Sequence, residues 1–361
     1  METLEVVFLC YSLFIVTASF INLLRIDYWW IRMWDFPHLQ LIVLAVLGLG
    51  GWFIWVHQYN WPNWLVPVFL VASIIYQLWL IFPYTRLHAV QVPPLRTVNE
   101  EAEGGKLAEI SLLIANILME NNRYNEVLQL AQRQNPDIIL ILEADETWRQ
   151  KLNALEPNYP YRLLHPLDNT YGMLLYSRVP VRDPKIRFLI EDEVPSIHAQ
   201  LVLENGQNIH FFGVHPEPPS PTEHNRSTER DAELVLVGRE ARRLNEPVIV
   251  AGDLNDVAWS HTTRLFQRIS GLLDPRVGRG LFNTFHAHYF FMRWPLDHIF
   301  VSQHFRLVHI ERMPSCGSDH FPMFVTLQLD NSLSNRTNLP KPDKEDKEEA
   351  AEKVDEAKEN K

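Results

Sequence analysis

The chain has 361 residues, room for one large domain with accessories or two ordinary ones, and a formal net charge of −11. That acidic balance argues against broad, non-specific gripping of nucleic acid, which draws its affinity from a basic face. The only two cysteines, Cys10 and Cys316, lie far apart, which excludes a disulfide framework and a cysteine-based zinc site.

Apolar residues crowd the first hundred positions. Residues 4–24 carry one charge, Glu5, and residues 38–56 and 64–83 carry none. Each run approaches the roughly 20 apolar residues that span a bilayer as a helix. Trp29, Trp30 and Trp34 fall in the first connection and Trp61 and Trp64 in the second, suited to the headgroup level. The start, Met1-Glu2-Thr3-Leu4-Glu5, lacks the basic flank of a signal peptide, and two further runs come after it. Residues 1–83 are therefore predicted to form three transmembrane helices with the lipid bilayer as partner. Arg25 and Arg32 lie in the first connection, and no Lys or Arg occupies the N-terminal flank or the second connection. The positive-inside rule then places the soluble part in the cytoplasm, on a margin of two arginines that leaves the side open.

Residues 84–106 read as a polar linker. From there the pattern alternates: a buried-strand candidate at 108–117, helical spacing at 121–134, and a short apolar run at 137–142. Further strands are expected at 172–176, 198–203, 209–214, 248–251, 298–301 and 323–329, with helices at 227–244 and 262–269. Many strands and few helices suggest two packed sheets covered by helices. From about residue 331 the chain is Lys-, Glu- and Asp-rich with almost no apolar group, so 331–361 is expected to be a disordered tail or a lone solvated helix without a catalytic role.

Chemistry-bearing residues recur at strand ends. Asn116 closes the first strand and Glu143 the second, in Pro136-Asp137-Ile138-Ile139-Leu140-Ile141-Leu142-Glu143. A carboxylate after five apolar residues needs a cation or a hydrogen-bonded partner. Further along come Gly213-Val214-His215, Ala251-Gly252-Asp253-Leu254-Asn255, Pro295-Leu296-Asp297-His298 and Gly317-Ser318-Asp319-His320. Taken singly, each has a structural reading: a turn cap for Asn116, an arginine partner for Glu143, a core position for His215. His298, opening an apolar strand, and His286 and His288 are read as non-catalytic. Oxygen donors without a Cys/His cluster favour Mg2+ or Mn2+ over zinc.

The order Asn116, Glu143, His215, Asp253-x-Asn255, Asp297, Ser318-Asp319-His320, together with Ser177-Arg178-x-Pro180, resembles the endonuclease/exonuclease/phosphatase superfamily across 107–329. The apolar segments with Trp29-Trp30-Ile31-Arg32, and the run ending Trp259-Ser260, resemble a bacterial membrane-anchored branch of it. The resemblance implies a four-layer α/β/β/α sandwich of two mixed sheets over 107–330, preceded by the transmembrane helical region, in a bacterial cell membrane. It implies Glu143 as the main metal ligand, with Asn116 and Asp319 completing the shell directly or through water. Asp253 would orient and deprotonate the attacking water, and Asn255 would donate to a phosphoryl oxygen. His320, partnered by Asp297, would contact the scissile phosphate, and His215 would be a second phosphate contact or leaving-group acid. Arg226 and Arg230 are either substrate phosphate contacts or solvated surface arginines. The expected activity is metal-dependent hydrolysis of a phosphate ester, lipid-linked substrates being favoured by the membrane segments. A nuclease is the alternative within the same chemistry, and a non-catalytic membrane-tethered binding module the alternative outside it.

Overall fold

The structure, a computed structural model, describes residues 3–55, 64–95, 108–333 and 339–360. The second connection with Trp61 and the later part of the expected linker lie outside the described residues. The apolar runs form α1 (Thr3–Phe20), α3 (His38–Trp55) and α4 (Leu65–Ile81), with a single turn, α2 (Trp29–Arg32), in the first connection. The three long segments are helices long and apolar enough to cross a membrane. They bury only a thin seam around Ile15, Leu41, Ala45 and Leu70 and leave Leu13, Leu47, Ile75 and Trp79 more than half exposed. A helix apolar all round is suited to a hydrocarbon surrounding.

These helices are joined firmly to the rest of the chain. Leu80, Ile81 and Tyr84 share a hydrophobic cluster with Val257, Trp259, Val277 and Trp294. The Tyr84 hydroxyl donates to Ala258 O at 2.6 Å, and Trp259 Nε1 donates to Asp35 O at 2.7 Å. The first part of the expected linker is packed too: Val92 is fully buried, and the Asp274 amide donates to Gln91 at 2.8 Å.

The remaining chain builds two mixed sheets. One contains β1 (Glu109–Asn116), β2 (Ile138–Leu142), β3 (Tyr161–His165), β4 (Met173–Ser177), β10 (Phe305–Arg312) and β11 (Met323–Leu329), in the order β10-β11-β1-β2-β4-β3. The other runs β5-β6-β7-β8-β9, from Val181–Arg187, Ser196–Val202, Asn208–Val214, Val248–Asp253 and Asp297–Val301. Each sheet has one parallel pair, β1 with β2 and β7 with β8; the other pairs are antiparallel. Strands buried on both faces read as unbroken apolar runs, which is why Ile138–Leu142 shows no alternation. Leu112, Leu140 and Val325 meet Ile197, Phe211 and Ile249 in the core between the sheets. The outer faces are covered by α5 (Tyr124–Gln134) and α6 (Glu146–Lys151) on one side and α7 (Thr228–Leu244) and α8 (His261–Ser270) on the other. This is the expected four-layer α/β/β/α sandwich.

The tail departs from expectation. Lys344–Glu359 forms α9, capped by Asp343 in a reciprocal pairing with Asp346, and packs Ala350, Val354 and Ala357 against α7 and α8. Those three residues fall on one stripe of the helix, so a sparse apolar content still made a buried face. Lys353 Nζ sits 2.8 Å from Asp27 and 2.9 Å from Asp231, joining the tail to the first connection and to α7. Both arginines of that connection are committed as well, Arg25 to Glu345 at 2.5 Å and Arg32 to Asp35 and Asp231, each at 3.5 Å. Burial opposes the charge on Asp231, but Lys353, Arg230 and Arg32 together hold its carboxyl below the usual range.

Candidate active site

The carboxyl ends of the parallel pairs in both sheets point into one cleft. Asn116 ends β1, Glu143 comes directly after β2, His215 directly after β7, and Asp253 ends β8. Asp297 opens β9 and is paired in register with Asp253, while Asp319 and His320 lie in the approach to β11. Nearly all the sequence-derived candidates are thus brought together. Two backbone positions fix the edge. Gly252 has φ +148°, and a Cβ there would come within 1.8 Å of Val214 O on the neighbouring strand. Glu143 adopts the left-handed φ of 61°, uncommon for glutamate, and is held so by Ala144 N donating to Gly172 O at 3.0 Å.

Asn116 is the centre of the cluster. Its Nδ2 donates to Glu143 Oε1 at 2.6 Å and to Asp253 Oδ2 at 3.1 Å, while its Oδ1 accepts from Leu118 N at 3.2 Å. It therefore ties the two carboxylates together through nitrogen, and offering oxygen to a cation requires the amide to turn over. Asp253 Oδ1 accepts from Asn255 N at 2.8 Å. His320 Nδ1 is 2.8 Å from Asp297 Oδ2, and its Nε2 is 3.5 Å from Asp253 Oδ2. Burial works against an imidazolium there, but Asp297, Asp253 and Asp319 outweigh it and push His320 up to about 10.

Asp253, Asp297 and His320 bring ligand-type atoms within 4.8 Å of one another. A charged imidazole has no lone pair to give, so this trio is a proton-holding chain rather than a complete cation shell. Glu143 suits a cation better. Desolvation, opposed only in part by Asn116 and His320, pushes its carboxyl up to about 7. Among the described residues it makes no ion pair with Lys or Arg. A recessed carboxyl without a basic partner, within electrostatic reach of Asp253 and Asp319, offers oxygen of the kind that Mg2+ or Mn2+ takes. Glu143, Asp319 and Asn255 remain partly open to the cleft, whereas Asn116, Asp253, Asp297 and His320 are buried.

Other positions read differently than expected. The Asn255 side-chain amide donates to Pro216 O at 3.0 Å, bracing the loop after His215, and has one hydrogen left for a substrate oxygen. His215 is buried, its Nδ1 has no partner, and its ring lies 5.4 Å from that of Tyr171. Burial lowers its pKa, favouring neutral imidazole. Arg230 is neither a phosphate contact nor a surface residue. It is 2% exposed, pairs with Asp231 at 2.9 Å and Asp256 at 3.0 Å, and donates to Asn255 O at 2.8 Å. It thus braces the Asp253–Asn255 turn from behind. Arg226 is exposed and stacks 4.9 Å over the Tyr28 ring, away from the carboxylate cluster. Ser177-Arg178-x-Pro180 lies at the opposite end of the sheet, where Ser177 pairs with Ile138.

The structure adds residues that sequence reasoning missed. Asn121 Nδ2 bonds Ile117 O at 3.0 Å and Cys316 O at 3.1 Å, pinning the segment that carries Asp319 and His320. Phe285 packs 4.9 Å from the His320 ring. His298, expected to be structural, accepts from Arg276 at 2.6 Å and bonds Asp256 O at 2.9 Å.

Comparisons with known proteins agree with this geometry. A UPF0294 protein of Vibrio cholerae serotype O1 is 25% identical over 296 residues, 74% of this chain and 98% of the relative. An endonuclease/exonuclease/phosphatase family protein from Bacteroides thetaiotaomicron superposes with TM-score 0.52 at 19% identity, over 64% of this chain and 99% of that chain. D. rerio TDP2, in a structure complexed with single strand DNA product, gives TM-score 0.51 at 17% identity, over 61% of this chain and 99% of that one. These structural likenesses are of fold. The family model described as Endonuclease/Exonuclease/phosphatase family matches residues 113–320, more than half of the sequence and every residue of the cleft, and the chain belongs to that family.

Proposed function

We propose that this protein is a membrane-anchored hydrolase of phosphate esters that works with Mg2+ or Mn2+. The observation that carries the reading is the convergence of Glu143, Asn116, Asp253 and His320, far apart in sequence, within hydrogen-bonding reach in one cleft. Glu143 and Asp319, with Asn116 after its amide turns over, would hold the cation, which when bound polarises the phosphoryl oxygens and offsets their developing charge. Asp253, fixed by Asn255 N, takes the proton from the attacking water. His320 keeps its Nδ1 on Asp297 and presents Nε2–H to a phosphoryl oxygen. Neutral His215 stands across the cleft as a contact to the leaving oxygen. No covalent intermediate is needed.

Three features support a bilayer location and a lipid-linked ester over a nucleic acid. The three long helices are apolar on their outer faces. The connection after α1, the start of α3 and the end of α4 all contact the catalytic domain, which supports a domain across the bilayer from the start of α1. On the Tyr171 side of the cleft, a cavity of about 880 Å³ sets Glu191, Asp192, Glu193, Glu217 and Glu229 against Arg226 and His224, a net acidic surface that disfavours a polyanion.

The test is turnover by the full-length chain in lipid nanodiscs, with Mg2+ or Mn2+, against DNA, RNA, phospholipids and a nitrophenyl phosphodiester. Chelator-sensitive hydrolysis is expected; no metal-dependent turnover of any of them would remove the hydrolase reading. A second expectation concerns pH. Because Glu143 in the metal-free protein holds a proton up to about pH 7, that proton competes with the cation below this value. Mn2+ affinity should rise about tenfold per pH unit on approaching pH 7 and level off above it. Titration followed by electron paramagnetic resonance measures this, and a flat profile from pH 5 to 8 would contradict the assignment of Glu143.

A further inference from the structure

The cleft opens on its other side into a cavity of about 540 Å³ with a different character. Its inner end is formed by His320 and Asn255; its walls are Met33, Phe36 and Pro37 from the first connection and Phe285, Phe291 and Trp294 from the catalytic domain. Phe36 meets Trp294 edge-on at 5.6 Å, and Gln40, in the first turn of α3, donates to Phe291 O at 2.7 Å. The groove is therefore built jointly by the membrane helices' connection and the catalytic domain, and neither part makes it alone.

Its outer rim is apolar and bare. Met33, in its wall, is 47% exposed, and Tyr289 and Phe290, in ring contact with Phe291, are 51% and 80% exposed, beside helices whose own outer faces are apolar. Exposed large apolar groups in a contiguous rim mark a surface meant for another apolar phase. Such walls offer little to a sugar–phosphate backbone or a polar metabolite. They suit a hydrocarbon chain lying with its phosphate at His320 and its tail running back toward the bilayer.

Resting on the hydrolase reading, we propose that this groove holds the acyl chain of the substrate, so that the ester cleaved is that of a membrane phospholipid drawn sideways into the cleft. The water's oxygen bonds to phosphorus as its proton passes to Asp253, the phosphorus–oxygen ester bond breaks, and the departing oxygen is protonated from solvent. A chain leaving the bilayer gains nothing by entering an apolar groove, because hydrocarbon is exchanged for hydrocarbon. The groove acts by removing the penalty of passing through water, which is about fourfold per methylene.

The experiment uses the full-length protein in nanodiscs with Mg2+ and compares phosphatidylglycerol and phosphatidic acid carrying hexanoyl or oleoyl chains with bis(p-nitrophenyl) phosphate and DNA. Because the groove spares the longer chain the passage through water, the wild type should turn over an oleoyl lipid with a kcat/KM no lower than that of its hexanoyl counterpart. In the Met33→Gln/Phe291→Gln double variant, the ratio of oleoyl-lipid to nitrophenyl-ester activity should fall at least about tenfold, the nitrophenyl ester reporting that the protein remains folded. An oleoyl lipid turned over at least about tenfold more slowly than its hexanoyl counterpart, an unchanged ratio in the double variant, or faster turnover of DNA than of either oleoyl lipid would overturn the proposal while leaving the hydrolase reading in place. Failure on the nitrophenyl ester and every other substrate would instead strike the hydrolase reading.

Discussion

Replacement of Asp253 by alanine is expected to lower kcat by about 10²-fold or more, the scale of losing a positioned general base. Asp253 is 1% exposed and meets Asn116, Asn255 and His320, so its carboxylate is aimed before any substrate arrives. His320→Ala should cost about as much, because it removes the charge facing the phosphoryl oxygens and leaves Asp297 buried without its partner. The two losses should not add in the double variant, since both residues serve one hydrogen-bonded unit. Steady-state kinetics on the nitrophenyl phosphodiester, with circular dichroism to confirm folding, measures this. Activity untouched in either single variant would refute the site.

Lys353→Met is expected to destabilise the protein by about 3–5 kcal/mol, the usual cost of removing one partner from a buried ion pair. Lys353 is 6% exposed and bridges Asp27 and Asp231, at 2.8 and 2.9 Å. Without it, Asp231 keeps Arg230 and Arg32, but Asp27 loses its cation. The exposed pair Arg25–Glu345 provides the contrast: its side chains are 50% and 71% exposed, and Glu345→Gln should cost less than about 1 kcal/mol. Thermal melts of the two variants in the same nanodiscs separate these outcomes. Identical melting of wild type and Lys353→Met would mean that the tail does not brace the fold.

The strands that the sequence reveals are those buried on both faces, such as Ile138–Leu142 and Val248–Asp253, and their polar terminators mark the cleft. The strands it hides are at the margins. Tyr161–His165, Val181–Arg187 and Phe305–Arg312 each keep exposed residues, and Pro184 sits inside the second of them, tolerable only at an edge. Site residues could be read where a carboxylate or amide interrupted an apolar run. Arg230 could not, because nothing in its own neighbourhood shows that Asp256 would meet it. Composition misled at the tail: Ala350, Val354 and Ala357 are few, yet their helical spacing forms one face. That stripe was present in the sequence and outvoted by the charges around it.

Glu143 belongs to one sheet and Asp253 to the other, and Asn116 reaches across between them. Neither half of the sandwich therefore owns a working centre. The sheet bearing Glu143 is completed only by β10 and β11, which come after every strand of the other sheet, so the cluster cannot assemble on a partial chain. The cluster is whole only when the two sheets have packed together, so an incompletely folded copy holds no more than half of it.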